Sequence, residues 1–213
     1  MGFKRIAALL LPVLLFGWES RAASDTDRIL EITVLVQNHA KLSQPSLKSA
    51  QGEAARIFRA AGVRVRWVDC SKGDACRHVP GAREFVLNIV PDGKTSSNLV
   101  YGMAFLGPAG EGKYADVFFH RVEAAGGLNG DNVARFLGTI AAHELGHLLL
   151  GSNAHTYDGV MSAVWKDSVL QRMNMGSLLF TREQSVVIRA RLAEEGAGRI
   201  PEYTVGRSRP ISP

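Results

Sequence analysis

The sequence predicts one α/β (α+β) domain: a twisted mixed sheet, a helix that carries the site chemistry, and a helix near the C-terminus. Runs of β-branched residues with strand length recur through the first half of the chain. Apolar residues at helical spacing follow in two later segments, and no repeat or linker divides the chain. With 213 residues, of which 46% are hydrophobic, the chain can bury one core.

The first half of the chain predicts a strand, a helix and two more strands. RILEITVLVQN (28–38) is rich in β-branched residues, which indicates a strand. Pro45 begins an amphipathic pattern that ends at Gly62, because proline favours helix starts and glycine favours helix ends. Strict alternation in VRVRWVDC (63–70) predicts a half-exposed strand, and REFVLNIVPD (83–92) predicts another strand.

The second half predicts two strands and two helices. LVYGMAFLG (99–107) lies within a Gly- and Ser-rich region and predicts a short strand at a sheet edge, and YADVFFHRVE (114–123) predicts a further strand. Residues 132–151 have one apolar stripe at helical spacing and are predicted to form a helix. Residues 152–179 are expected to be rich in loops. A last helix is predicted over 181–196, whose first and fourth residues have capping-box spacing.

The N-terminus has the layout of a secretory signal peptide. Lys4 and Arg5 precede an apolar run from Ile6 to Trp18, and small residues follow. The run is shorter than the roughly 20 apolar residues of a membrane span. We therefore predict cleavage after Ala22 and export to the periplasm or the exterior. The alternative is an uncleaved anchor or a buried first helix.

These boundaries divide the chain into a signal peptide (1–22), one folded domain (23–198) and a C-terminal tail (199–213). Removal of the signal lowers the formal charge of +5 by two. Because the remaining basic residues are scattered, we expect no nucleic-acid partner. The mature chain is expected to lack a stable membrane span and to be a monomer.

The two cysteines, Cys70 and Cys76, enclose a short polar segment, SKGDA. In an oxidising compartment such a pair is expected to form a disulfide that fixes a loop. Free thiols or a redox pair are the alternative, although the spacing is not CxxC.

The segment AAHELGHLLLG within the predicted helix contains the residues with the clearest chemistry. His143 and His147 are four residues apart, so both can offer a ring nitrogen to one metal ion. Glu144 points to the side of that ion, where it can accept a proton from metal-bound water. Neutral imidazole ligands favour Zn²⁺. The alternative is two surface histidines beside a glutamate.

A catalytic zinc ion usually has three protein ligands, so one more is needed. The candidates are His155, Asp158 and Glu183. Gly151 can end the helix in a left-handed turn that brings His155 back below the metal, so we favour His155. The charge of Glu183 is also explained by its place in the first turn of a helix. His120 could approach the cleft, but it is expected to be exposed or satisfied elsewhere.

The segment HELGHLLLGSNAH followed by GVM resembles the metzincin clan of zinc peptidases, whose pattern is HExxHxxGxxH with a methionine-containing turn below the zinc. Here the pattern is HExxHxxxGxxxH, with one extra residue on each side of the glycine. The resemblance implies a metzincin-like mixed sheet, three zinc ligands, a general base, a turn glycine and a Met-turn residue. The implied zinc ligands are His143, His147 and His155. Glu144 would be the general base, Gly151 the turn glycine and Met161 the Met-turn residue.

The resemblance also implies a substrate-binding edge strand, in the place occupied here by Gly102, Met103, Ala104 and Phe105. An extended peptide would pair with it through main-chain hydrogen bonds. An ordinary core strand is the alternative for this segment, and core packing is the alternative for Met161. Tyr157 could bind an oxyanion or pack against the loop.

The sequence therefore predicts an exported zinc-dependent endopeptidase with a protein or peptide substrate. Two alternatives remain open: a non-catalytic exported protein that binds zinc and a peptide, and a zinc hydrolase of another amide, such as a cell-wall amide.

Overall fold

The computed structural model of the chain describes residues 30–71, 74, 76–95, 97, 99–125, 130–165 and 167–196. The predicted signal peptide and C-terminal tail lie outside these residues. Within the described part, no helix is both long and apolar enough to cross a bilayer.

Five strands form one mixed sheet in the order β2-β1-β3-β5-β4. All neighbouring pairs are parallel except β4 and β5, which are antiparallel. The strands are β1 (Leu30–Asn38), β2 (Val63–Asp69), β3 (Glu84–Val90), β4 (Gly102–Phe105) and β5 (Tyr114–Phe118). The predicted short edge strand is confirmed as β4, at the end of the sheet.

Five helices accompany the sheet. They are α1 (Gln44–Ala60), α2 (Phe119–Ala124), α3 (Gly130–Leu150), α4 (Asp167–Asn174) and α5 (Arg182–Gly196). The predicted α/β class is confirmed, with the motif helix as α3 and the terminal helix as α5.

One face of the sheet packs against α1 and α3 to form the core. Alternate strand residues point to this face and are almost fully buried, among them Ile32, Val34, Leu87, Ala115 and Val117. They meet apolar side chains of the two helices, including Ile57, Phe58, Phe136 and Ile140. Burial of this apolar surface is the main force that holds α3 against the sheet.

The helix starts follow the local sequence rules. Ser43 caps α1 by accepting from the Ser46 backbone N–H. Thr181 and Gln184 form the predicted capping box before α5, because each side chain accepts the other residue's backbone N–H.

Two sequence-based predictions about element type are wrong. The strand expected over 114–123 ends at Phe118, and residues 119–124 form α2. The helical turn directs the buried Arg121 guanidinium to the carbonyl groups of Gly93, Ser97 and Val100, at 2.6, 2.7 and 3.0 Å. The alternation of apolar and polar residues does not predict these hydrogen bonds to a loop earlier in the chain. The loop-rich stretch also contains α4, whose buried Val169 and Met173 pack on the core.

The cysteine pair forms the predicted disulfide, with the Cα atoms of Cys70 and Cys76 5.5 Å apart. Cys70 directly follows β2, so the bond closes a short loop at the end of that strand.

Candidate active site

Among its described residues, helix α3 carries three buried ionisable side chains. His143, Glu144 and His147 are only 5%, 6% and 4% exposed. Burial of ionisable groups costs free energy unless they are paired. Clusters of such groups are typical of catalytic and binding sites, so these residues identify a candidate site.

The structure brings a third histidine to the same point. The ring nitrogens offered by His143, His147 and His155 all lie within 4.8 Å of one another. Ring centroids of His155 lie 5.2 Å from His143 and 4.9 Å from His147. His155 itself is exposed to solvent, which places this cluster at the surface of the cleft.

Backbone carbonyl groups fix the orientation of the two helix histidines. Nδ1 of His143 donates to the Val160 carbonyl and Nδ1 of His147 donates to the Ser152 carbonyl, each at 2.7 Å. Each ring therefore keeps an unprotonated Nε2, and the two Nε2 atoms lie 3.1 Å apart. Such outer hydrogen bonds are the usual way in which metal-binding histidines are oriented.

This arrangement fits a metal ion. Two nitrogens bound tetrahedrally to one zinc ion at about 2.0–2.1 Å would lie about 3.3–3.4 Å apart, close to the observed separation. Burial lowers the pKa of all three histidines, and that of His143 to about 3. The rings are thus neutral at neutral pH, as metal ligands must be.

The turn after α3 explains how His155 reaches the cluster. Gly151 has φ +63°, a left-handed conformation that suits glycine at a helix end. The Ser152 N–H returns to the His147 carbonyl. A Cβ atom on Gly151 would lie 2.6 Å from Nη1 of Arg191, so the α5 guanidinium is packed directly against the turn.

Glu144 lies beside the histidines and against β4. Its carboxylate accepts the backbone N–H of Ala104, and burial raises its pKa to about 8. The nearby Asp116 also raises this pKa. A carboxyl group with such a pKa can both accept and release a proton near neutral pH.

A cleft of about 400 Å³ opens over these groups. One side is formed by β4 and the residues that precede it, and the opposite side by residues 153–165. Tyr101, Ile140 and Trp165 supply apolar surface inside it. The Trp165 ring lies 5.7 Å from the His143 ring.

Met161 is fully buried below α3. A Cβ atom on Gly146 would lie 2.7 Å from its sulfur, so the side chain touches the helix between the metal-site residues. The Thr156 N–H donates to the Met161 carbonyl at 2.9 Å and closes the loop that holds His155.

Other residues considered from the sequence lie elsewhere. Asp158 accepts from Arg172 at 2.7 Å, and Glu183 is in the first turn of α5. Neither belongs to the possible metal-binding group in the described part of the chain, so neither competes with His155. His120 is exposed in α2, and Tyr157 is 94% exposed.

Two contributors were not recognised from the sequence. Arg191 is 36 residues or more from each site residue that it supports, and Trp165 falls in a stretch expected to be loop. An arginine in an amphipathic helix and one tryptophan in a loop have no local signature, since their roles depend on long-range packing.

The chain was compared with known protein families, protein sequences and solved structures. No family model and no curated protein sequence matches the chain. Its structure is similar to that of an archaemetzincin from Methanopyrus kandleri, with 17% identity and a TM-score of 0.52 over 78% of this chain and 98% of that one. A zinc-dependent peptidase from Methanocorpusculum labreanum is similar at 16% identity and a TM-score of 0.50, over 73% and 99% of the two chains. At these identities the similarity shows a shared fold.

Proposed function

We propose that the protein is a zinc-dependent peptidase that hydrolyses internal peptide bonds, with Glu144 as general base. One observation carries the proposal: three neutral histidines converge on one point beside a buried carboxyl group, at the wall of an open cleft. Three nitrogen ligands with an open side form the donor set of a catalytic zinc site. The two structural neighbours described above are named an archaemetzincin and a zinc-dependent peptidase, which supports the same function.

The zinc ion would be held by Nε2 of His143 and Nε2 of His147. His155 would supply the third ligand through the ring nitrogen that faces the other two. When bound, zinc would polarise the scissile carbonyl and make water more acidic. Carbonyl groups of Val160 and Ser152 keep the first two rings oriented for this task. Such hydrogen bonds hold the rings in the orientation that metal binding requires before the ion arrives.

Glu144 would take the proton of the attacking water and pass it to the leaving amine. Burial raises its pKa and thus its basicity. The Ala104 N–H donates a hydrogen bond to this carboxylate. Both residues line the cleft, so the bond holds the carboxylate at the cleft wall.

Strand β4 would bind the substrate backbone. The Phe118 N–H donates to the Tyr101 carbonyl at 2.8 Å, which makes these two residues a hydrogen-bonded pair of the ladder. By alternation, Gly102 and Ala104 direct their main-chain groups away from β5, to the open edge. Glu144 takes the Ala104 N–H and packs against the buried Gly102, so the Ala104 carbonyl is the group of this pair that an extended peptide would meet at the open edge.

We further propose that the protein acts outside the cytoplasm, in the periplasm or the exterior. The N-terminal sequence pattern motivates this proposal, and the Cys70–Cys76 disulfide supports it, because such bonds persist mainly in oxidising compartments. A fusion of residues 1–30 to a reporter that is active only after export would test it. Reporter activity that remains cytoplasmic would contradict it.

The test of the activity combines metal content with peptide cleavage. The purified protein should bind one zinc ion per chain and cleave internal bonds of unstructured peptides. Glu144→Gln should keep the zinc and lose cleavage by about 100-fold or more, because general base catalysis contributes about 10²–10⁴-fold. Zinc binding without cleavage of peptides or cell-wall amides would favour the non-catalytic alternative. Cleavage confined to cell-wall amides would identify the other hydrolase.

A further inference from the structure

We propose that the cleft selects extended peptides whose side chains next to the cleaved bond are apolar or aromatic. This inference rests on the proposed peptidase function and adds the chemical class of its substrate. It follows from the apolar rim of the cleft, the aromatic wall inside it and the distribution of charge along its lining.

The apolar rim consists of Leu99, Met103 and Val164. Their exposed fractions are 77%, 39% and 56%, values that are unusual for large apolar side chains. Leu99 and Met103 line the cleft, and Val164 lies between two residues that line it, Ala163 and Trp165. Exposed apolar residues gathered around an opening are typical of a binding surface.

The apolar surface continues on the outer face of the edge strands. Phe105 and Tyr114 are directly opposite each other on β4 and β5, and both are exposed. A peptide added to β4 would place alternate side chains beside Met103 and Phe105, because neighbouring strands align their side chains on each face. Apolar side chains in the peptide would cover these residues.

The aromatic wall extends the same chemistry below the rim. The Tyr101 and Phe136 rings meet edge to face at 5.1 Å, and Phe136 meets Trp165 at 5.4 Å. Trp165 and Ile140 then face the cleft beside His143. A side chain that enters here exchanges water for aromatic and aliphatic contacts.

Charged partners are scarce in the lining. Of the described residues that line the cleft, Glu144 is the one carboxylate, and none is a lysine or arginine. Asp116, on the outer face beside Met103, accepts from Asn88 at 2.8 Å. A charged substrate residue placed against Tyr101, Ile140 and Trp165 would therefore lose hydration and would find no lysine or arginine, and no carboxylate besides Glu144, among the described lining residues, which disfavours it.

The first experiment measures cleavage preference. The zinc-loaded protein is incubated with a peptide library of balanced composition, and the cleaved bonds are read by mass spectrometry. We expect Leu, Ile, Met, Phe, Tyr or Trp on at least one side of the cleaved bond, with kcat/KM about tenfold or more above matched peptides with Asp or Lys there. Equal or better cleavage of the charged peptides would overturn the inference.

A variant pair tests the rim directly. Leu99→Glu adds a carboxylate at a highly exposed position, so the fold should tolerate it. It should raise kcat/KM for peptides with Lys near the cleaved bond relative to Leu peptides, by about tenfold. Val187→Glu makes the same change at an exposed apolar residue of α5 that is not among the lining residues, and should leave the preference unchanged. Identical preferences in both variants would contradict the role of the rim.

A binding measurement separates this inference from the peptidase proposal. Fluorescence polarisation with zinc-loaded Glu144→Gln reports peptide affinity without turnover. Tighter binding of apolar peptides than of Asp or Lys analogues supports the inference. If the native protein nevertheless cleaves no peptide, the proposed function is wrong and the binding preference still stands. Equal affinity, or no binding of either class, overturns the inference, whereas cleavage by the native protein would still uphold the function.

Discussion

Gly102 and Glu144 are in such close contact that a Cβ atom at residue 102 would lie 2.7 Å from both Cγ and Oε1 of the glutamate. The same Cβ atom would lie 2.8 Å from the Asp116 carbonyl oxygen. The edge strand and the proposed general base therefore share one space, and only glycine leaves room for both.

Replacement of Gly102 by alanine should separate catalysis from metal binding. Gly102→Ala pushes the Glu144 carboxylate out of its position, and a displacement of about 1 Å can reduce the rate by about 100-fold. We expect kcat to fall by that order while zinc content, measured by atomic absorption, stays at the native level. The control is Gly52→Ala, because a Cβ atom there meets nothing within 4 Å. Unchanged kcat in Gly102→Ala would show that the contact does not position the base.

Removal of the third histidine should weaken metal binding. His155→Ala takes away one of three ring nitrogens, and we expect the zinc dissociation constant to rise by more than about 100-fold, since even loss of an outer hydrogen-bond partner costs about 10–100-fold. Competition with a chromogenic chelator measures it. His39→Ala removes an exposed histidine outside the cluster and should bind zinc normally. Native affinity in His155→Ala would exclude this residue as a ligand.

The metal-free protein should show opposing effects of His143 and Glu144 on stability. The lowered pKa of His143, about 3 against 6.5, means that the unfolded chain binds more protons between these values, so stability falls with acidification. The raised pKa of Glu144, about 8 against 4.5, has the reverse sign: stability rises as the pH falls through that range.

Between pH 6.5 and 4.5 the two effects oppose each other, and Glu144→Gln removes one of them. The free energy of unfolding of this variant should fall with acidification more steeply than that of the native protein, by about 1.4 kcal/mol per pH unit. Urea denaturation of the zinc-free proteins at several pH values measures it. Parallel pH profiles would show that Glu144 does not hold its proton in the folded state.

The turn at Gly151 should be sensitive to crowding as well as to backbone conformation. Gly151→Ala places a Cβ atom 2.6 Å from the Arg191 guanidinium and forces alanine into φ +63°. Gly176→Ala is the matched control, because its φ is +68° but its Cβ atom would approach Arg56 no closer than 3.8 Å. Both variants should lose about 1–2 kcal/mol of stability from the left-handed backbone. Weaker zinc binding is expected in Gly151→Ala alone, and equal zinc affinity would argue against coupling of the turn to the metal site.

Local patterns in the sequence were sufficient for the sheet strands, α1, α3 and the capping box of α5, because those elements follow from periodicity and from neighbours a few residues apart. The spacing of His143 and His147 on one helix face belongs to the same class. The end of β5 at Phe118 was missed because Arg121 is required by a loop that lies 21–29 residues earlier in the chain. Contacts of Arg191 with the Gly151 turn and of Trp165 with His143 arise only when the chain is folded, so no local pattern predicts them.

Helix α5 contacts both ends of the loop that carries His155. Arg191 lies against Gly151, and Gln184 donates to the Thr156 hydroxyl at 3.3 Å. The smallest fragment that keeps the complete ligand set must therefore extend to residue 191, although the HExxH segment ends at His147. A shorter fragment would retain two histidines on α3 without the means to hold the third. Two turns of one helix thus fix the loop length, so an insertion between Gly151 and Thr156 would have to bulge outwards and carry His155 away from the cluster.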